Sequence, residues 1–220
     1  MACMASVPVQ SFAATTEKAL IDGPSGALEI VVNAPDTARR GIALIAHPHP
    51  LQGGTLDNKV AQTLAKAFHA LDYVAVRFNF RGVGESQGTF DEGVGETDDG
   101  LAALAHARST YGERLPVALA GFSFGSYVQT RIAQRVVAER LVLVGPAVMR
   151  FPIEHVPADT IVIHGEQDEV VSLADVLDWA RPQALPVVVF PGCTHFFHGR
   201  LPQLRDTIVG MWHRGSAPRA

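Results

Sequence analysis

A series of short, unbroken apolar runs constrains what this chain can fold into. They read GIALIAH (Gly41–His47), YVAVRFNF (Tyr73–Phe80), PVALAGF (Pro116–Phe122), RLVLVG (Arg140–Gly145), TIVIHG (Thr160–Gly165) and PVVVFPG (Pro186–Gly192). Each has the length of a strand. Apart from Arg77 and Asn79 at the end of the second, none alternates apolar with polar residues, as a strand with one wet face must. They are therefore strands covered on both faces, which is the mark of a parallel sheet between layers of helix. The intervening segments have helical spacing. In DNKVAQTLAKAFHALD (Asp57–Asp72), Val60, Leu64, Ala67, Phe68 and Leu71 share one face. TDDGLAALAHARSTY (Thr97–Tyr111) carries acidic residues in its first turn, where the helix dipole favours them. Further helices are expected at Ser123–Val137, Leu173–Ala180 and Leu201–Trp212, and a further strand at ALEIVVN (Ala27–Asn33). The fold class is α/β, with a mostly parallel central sheet and helices on both faces.

A chain of 220 residues, 47% of them apolar, suits one domain over residues 1–220 with a sizeable core. Residues 1–16 are expected to be a flexible N-terminal segment, and the glycine-rich stretch Arg81–Gly100 a long loop. The net charge of −4 asks for neither a nucleic-acid nor a membrane partner. The N-terminus has no Lys or Arg before Lys18 and no apolar run of signal-peptide length. No window reaches the ~18 apolar residues of a membrane span. Of the two cysteines, Cys3 and Cys193, one lies in the N-terminal segment, so no disulfide is expected and a reducing, cytoplasmic setting fits.

In parallel sheets ligands sit beyond the carboxyl ends of the strands. PVALAGF runs into GFSFG, which opens a helix, and this strand–turn–helix setting suits a nucleophile elbow at Ser123. There the serine holds a strained backbone while Gly121 and Gly125 avoid the neighbouring strand and helix. The competing reading is a glycine-rich turn with a capping serine. A serine nucleophile needs a base, and the base an orienting acid. Asp168 follows TIVIHG and His195 follows PVVVFPG, giving the order Ser, Asp, His. Glu166, Glu169 and His198 compete for these roles. Asp168 is preferred for its place at the turn into the next helix, and His195 because it comes first after its strand.

Acyl transfer also needs oxyanion donors. One is expected from the N–H of Phe124. The other belongs to the loop HPHPLQGG, where Pro48 and Pro50 have no N–H, leaving His49 or Leu51, with His49 favoured. His47 and His49 also raise a metal site, but no third ligand completes a signature, so no metal and no cofactor are expected.

HPHPLQGGTLDNKV, RFNFRGVGESQG, AGFSFGS, HGEQDEVV and GCTHFFHG together resemble the small α/β-hydrolase-fold proteins related to dienelactone hydrolases, in particular a compact bacterial subgroup with an HPHP…GG loop. The resemblance runs from about Gly41 to His198. It implies the α/β-hydrolase fold, with Ser123 as nucleophile, Asp168 as acid and His195 as base. Dienelactone hydrolases proper carry cysteine where this chain has Ser123, so the resemblance stops short of dienelactone hydrolysis itself. Arg81, Gly82 and Gly84 are expected to shape their loop, with Arg81 alternatively meeting an anionic substrate. Many such relatives insert a cap between the strands that here end at Gly145 and start at Thr160. The segment between them is too short for one. An open site follows, walled by Phe122, Phe124, Met149, Phe151, Phe196 and Phe197, whose aromatics read equally as core, with Leu51, Phe122 and Phe196 touching substrate. The expected activity is cofactor-independent hydrolysis of small esters or related acyl compounds, with thioesters, small peptides and mere binding as alternatives.

Overall fold

In the computed structural model, which describes residues 15–36 and 39–215, the apolar runs form the middle of one eight-stranded sheet. Its strands are β1 (Thr15–Gly23), β2 (Gly26–Ala34), β3 (Gly41–Ala46), β4 (Tyr73–Phe78), β5 (Val117–Phe122), β6 (Arg140–Val144), β7 (Ile161–Gly165) and β8 (Val187–Phe190). Their order is β1-β2-β4-β3-β5-β6-β7-β8. β3 to β8 run parallel, and the β1–β2 and β2–β4 pairs are antiparallel.

The helices are α1 (Lys59–His69), α2 (Val94–Tyr111), α3 (Phe124–Ala133), α4 (Leu173–Ala180) and α5 (Leu201–Gly215). Successive residues of a strand point to opposite faces, and both faces here are covered. Ala43 and Ile45 pack with Leu64 and Phe68 of α1 and Leu204 and Trp212 of α5. Ile42 and Leu44 pack with Leu104 of α2 and Val128 of α3. A polar residue on either face needs a partner inside the core, as Arg77 finds in the Leu56 carbonyl and His164 in the Val171 carbonyl, so the runs are mostly apolar. The residues joining β6 to β7 form neither helix nor strand, so among the described residues no cap is inserted between them. This is the expected α/β-hydrolase architecture.

Two expectations are corrected. Thr15 and Thr16, read as part of a flexible segment, begin β1, which pairs with β2 from Thr15↔Ala34 to Gly23↔Gly26. Residues 1–14, with Cys3, lie outside the described residues. The long loop from Arg81 ends at Gly93 rather than Gly100, because α2 starts at Val94. The Glu96 carboxylate accepts from the amide of Gly93 at 2.7 Å and of Asp91 at 2.9 Å, closing a cap that starts the helix early.

Candidate active site

β5, β6, β7 and β8 lie side by side and parallel, so their carboxyl ends share one edge of the sheet, and Ser123 follows the first of them. Its backbone has φ 55° and ψ −118°, a conformation that costs a non-glycine residue on the order of 1–3 kcal/mol. Its amide donates to the Val144 carbonyl at the end of β6, at 2.9 Å. Ser123 occupies the N-cap position of α3, yet its side chain accepts no capping hydrogen bond. Asn58, by contrast, caps α1 through the amides of Val60 and Ala61. The capping reading of Ser123 therefore fails, and the hydroxyl is left for other work. The flanking glycines are required by contact. A Cβ on Gly121 would stand 2.3 Å from the Gly125 carbonyl oxygen, and one on Gly125 2.3 Å from that of Ala46.

The His195 and Asp168 side chains meet, with Nδ1 of His195 2.7 Å from Oδ2 of Asp168. The other carboxylate oxygen, Oδ1, accepts from the amides of Val170 at 2.9 Å and Val171 at 2.8 Å. Burial alone would raise the Asp168 carboxyl, but the hydrogen bond from His195 and these amides outweigh it and hold it below the usual carboxylate range. The competing carboxylates hold the loop instead. Glu166 accepts from the Gly192 amide at 2.7 Å and Glu169 from the His195 amide at 3.2 Å. The imidazole of His195 packs on the Phe122 ring at 4.8 Å. A Cβ on Gly145, the residue after Val144, would come within 3.3 Å of its Cε1. His198 is exposed beside Phe196, as a surface residue.

The HPHP loop lies against the elbow. His47 is fully buried, its Nε2 accepting from the Phe80 amide at 3.1 Å and its Nδ1 donating to the Pro48 carbonyl at 2.7 Å. Burial lowers its pKa to about 3, so it is neutral. Both nitrogens are engaged by backbone, which removes His47 as a metal ligand. Nδ1 of His49 accepts from the Leu51 amide at 3.2 Å, so Leu51 has its donor occupied. Among the described residues no group accepts from the His49 amide. The Phe124 amide opens α3 and, like every first-turn N–H, has no partner within the helix. Among the described residues no three His, Cys, Asp or Glu side chains are grouped to hold a metal ion.

The expected apolar walls divide. Phe122, Phe124 and Phe197 are completely buried. They belong to the core, and Phe122 is thus a support for His195 rather than a substrate contact. The inward direction of each follows from strand pairing and helix packing, which the motif does not encode. Leu51, Met149 and Phe196 are exposed, and Phe151 is half-buried against Phe124 and Tyr127. Arg81 does not face substrate either. Its Nη2 donates to Asp99 Oδ1 at 2.8 Å and to the Gly95 carbonyl at 2.7 Å, and its Nε to Asp99 Oδ2 at 3.1 Å. It shapes the loop, as the first reading had it. Sequence reasoning missed His164 and Gly145. The only signal of either was its place at or just past the end of a strand.

A family model described as serine aminopeptidase, S33, matches residues 51–154. An α/β serine hydrolase homologue from Coxiella burnetii is 40% identical, with a TM-score of 0.84, over 94% of this chain and 100% of that one. A lidless α/β serine hydrolase from Xanthomonas campestris is 35% identical, with a TM-score of 0.85, over 96% of this chain and 100% of that one. An uncharacterised Rickettsia prowazekii protein is 30% identical over 210 residues, 85% of this chain and 84% of its own length.

Proposed function

Because the chain belongs to the α/β serine hydrolases, we propose that it cleaves small carboxylic esters or related acyl compounds through an acyl-enzyme on Ser123. The observation that carries this reading is the strained, uncapped Ser123 at the strand ends where the Asp168–His195 pair also lies. Asp168 holds the His195 proton on Nδ1, which leaves Nε2 as the acceptor for the Ser123 proton. Ser123 Oγ attacks the carbonyl carbon, and the oxyanion rests on the amides of Phe124 and His49. His195 returns its proton to the leaving oxygen. A water that gives its proton to His195 then attacks the acyl carbon, the bond to Ser123 Oγ breaks, and His195 returns the proton to Oγ as the acid leaves.

Within the family, HPHPLQGG and the serine elbow ally the chain with the dienelactone-hydrolase-related subgroup. The free, buried thiol of Cys193 fits a cytoplasmic location. Among the described residues no helix is long and apolar enough to cross a membrane. The uncapped strand ends favour short acyl groups.

The test is labelling by a fluorophosphonate, with hydrolysis of p-nitrophenyl acetate and butyrate alongside. Both vanish in Ser123→Ala, the rate falling on the order of 10⁴–10⁶-fold. An unlabelled, folded wild type would overturn the reading. A second reading, peptide hydrolysis, draws on the aminopeptidase description of the matching family model. Aminoacyl p-nitroanilides and acyl thioesters run in parallel separate the leaving groups.

A further inference from the structure

Resting on that reading of the site, we infer that His164 is a positioning residue for catalysis, holding Asp168 in place against His195. His164 lies in β7, its side chain completely buried. Its Nε2 stands 3.0 Å from the Val171 carbonyl and 3.5 Å from Asp168 Oδ2. The Val171 carbonyl can only accept, so the proton sits on Nε2 and is donated to it, while Asp168 Oδ2 at 3.5 Å feels the same N–H as a charge contact. Nδ1 is left buried, with no hydrogen-bond partner.

The Nε2 proton gives the imidazole a double hold on one short turn. Val171 donates its amide to Asp168 Oδ1 at 2.8 Å and accepts from His164 through its carbonyl. Asp168 thus has its Oδ1 fixed by two amides and its Oδ2 placed between two imidazoles, His195 at 2.7 Å and His164 at 3.5 Å. The charged or titratable groups acting on His164 are Asp168, from its own turn, and His195, from the loop after β8. Glu169 also faces that loop, through the His195 amide, as does the Cys193 thiol, which feels both Asp168 and Glu169.

Withdrawing the Nε2 proton removes the N–H dipole that faces the Asp168 carboxylate and unties the Val171 carbonyl. The carboxylate then holds the His195 proton more strongly, and the acid limb of kcat/KM moves to higher pH. The turn also loosens, so kcat falls while KM for a small ester stays put.

The experiment compares His164→Leu, which cannot donate, with His164→Gln, whose amide nitrogen reaches about as far as Nε2. Ser123→Ala and His195→Ala run beside them. The readouts are pH profiles of kcat and kcat/KM on p-nitrophenyl acetate, fluorophosphonate labelling rate, and thermal midpoint. We expect kcat of His164→Leu to drop on the order of ten- to a hundredfold, the cost of leaving the buried Val171 carbonyl unpaired on the turn that holds Asp168. KM should hold, the acid limb should rise, and His164→Gln should recover most of both. Should His164→Leu not fold, His164→Met, which also cannot donate, takes its place; an unchanged kcat and acid limb with a lowered midpoint in that non-donating variant, or no recovery of kcat in a folded His164→Gln, overturns the inference. Full activity in Ser123→Ala or His195→Ala would instead sink the reading of the site, which keeps the two failures apart.

Discussion

Gly125 presses its bare Cα against the carbonyl of Ala46, so closely that a Cβ there would stand 2.3 Å from the oxygen. The first turn of α3 therefore lies directly on the end of β3, which fixes the turn from β5 that carries Ser123. Backbone cannot move aside as a flexible side chain can. Gly125→Ala should cost at least about 2 kcal/mol and abolish labelling of Ser123. Gly121→Ala should do the same, its Cβ meeting Gly125. Gly210→Ala in α5 is the control. Its Cβ meets nothing within 4 Å, so stability should be level or rise by up to about 1 kcal/mol. Denaturation midpoints with labelling decide it: an active, stable Gly125→Ala would mean the elbow has slack.

His47 should make stability depend on pH in a defined window. Its folded-state pKa is lowered to about 3 by burial, against 6.5 in the unfolded chain. Between these values the unfolded chain binds the extra proton. Stability from this group is complete above about 6.5 and is lost as pH falls toward 3, at about 1.4 kcal/mol per pH unit. His47→Gln keeps a donor and an acceptor but cannot titrate. Urea titrations at pH 7, 6 and 5 should show wild type losing ground to the variant at that slope. Parallel curves would show that His47 does not carry the dependence.

Arg81 and Asp99 form a buried pair, their side chains 12% and 2% exposed. Arg81→Met leaves Asp99 a buried charge without its partner, which costs about 3–5 kcal/mol. Arg81→Lys should recover only part, since an ammonium cannot make the forked contact. KM values for p-nitrophenyl acetate and for an ester with a carboxylate tail should stay in the wild-type ratio in both variants. A KM rise confined to the anionic ester would return the guanidinium to the substrate.

The middle of the sheet was legible because burial on both faces leaves its signature in composition: nothing polar is tolerated in Ile42–Ala46 or Val117–Phe122. β1 was not legible. It is an edge strand with little to bury, and TTEKALIDG mixes strand-forming threonines with helix formers that solvent tolerates. Among the site residues, Ser123 and His195 stood out because each follows a strand within a recognisable motif. Asp168 stood out less, between two glutamates. What separates it from Glu166 and Glu169 is that its Oδ1 closes a turn on the amides of Val170 and Val171 while theirs reach across to the β8 loop. That is a property of backbone direction. The fate of Phe122 and Phe124 was hidden for the same reason: a ring beside a catalytic serine in sequence points wherever its strand or helix sends it.

The second oxyanion donor can be tested without moving the loop. His49 has φ −54° and ψ 121°. Proline prefers φ near −65 ± 15°, so His49→Pro should fit the existing backbone and delete the amide hydrogen. The substitution also removes the imidazole, which accepts from the Leu51 amide. His49→Ala removes that same imidazole and keeps the N–H. The difference between the two variants therefore isolates one hydrogen. We expect His49→Ala to retain most of its kcat and His49→Pro to lose a further 10²–10³-fold or so, with thermal midpoints close together. Equal kcat in the two would transfer the role to Leu51, whose amide is released in both.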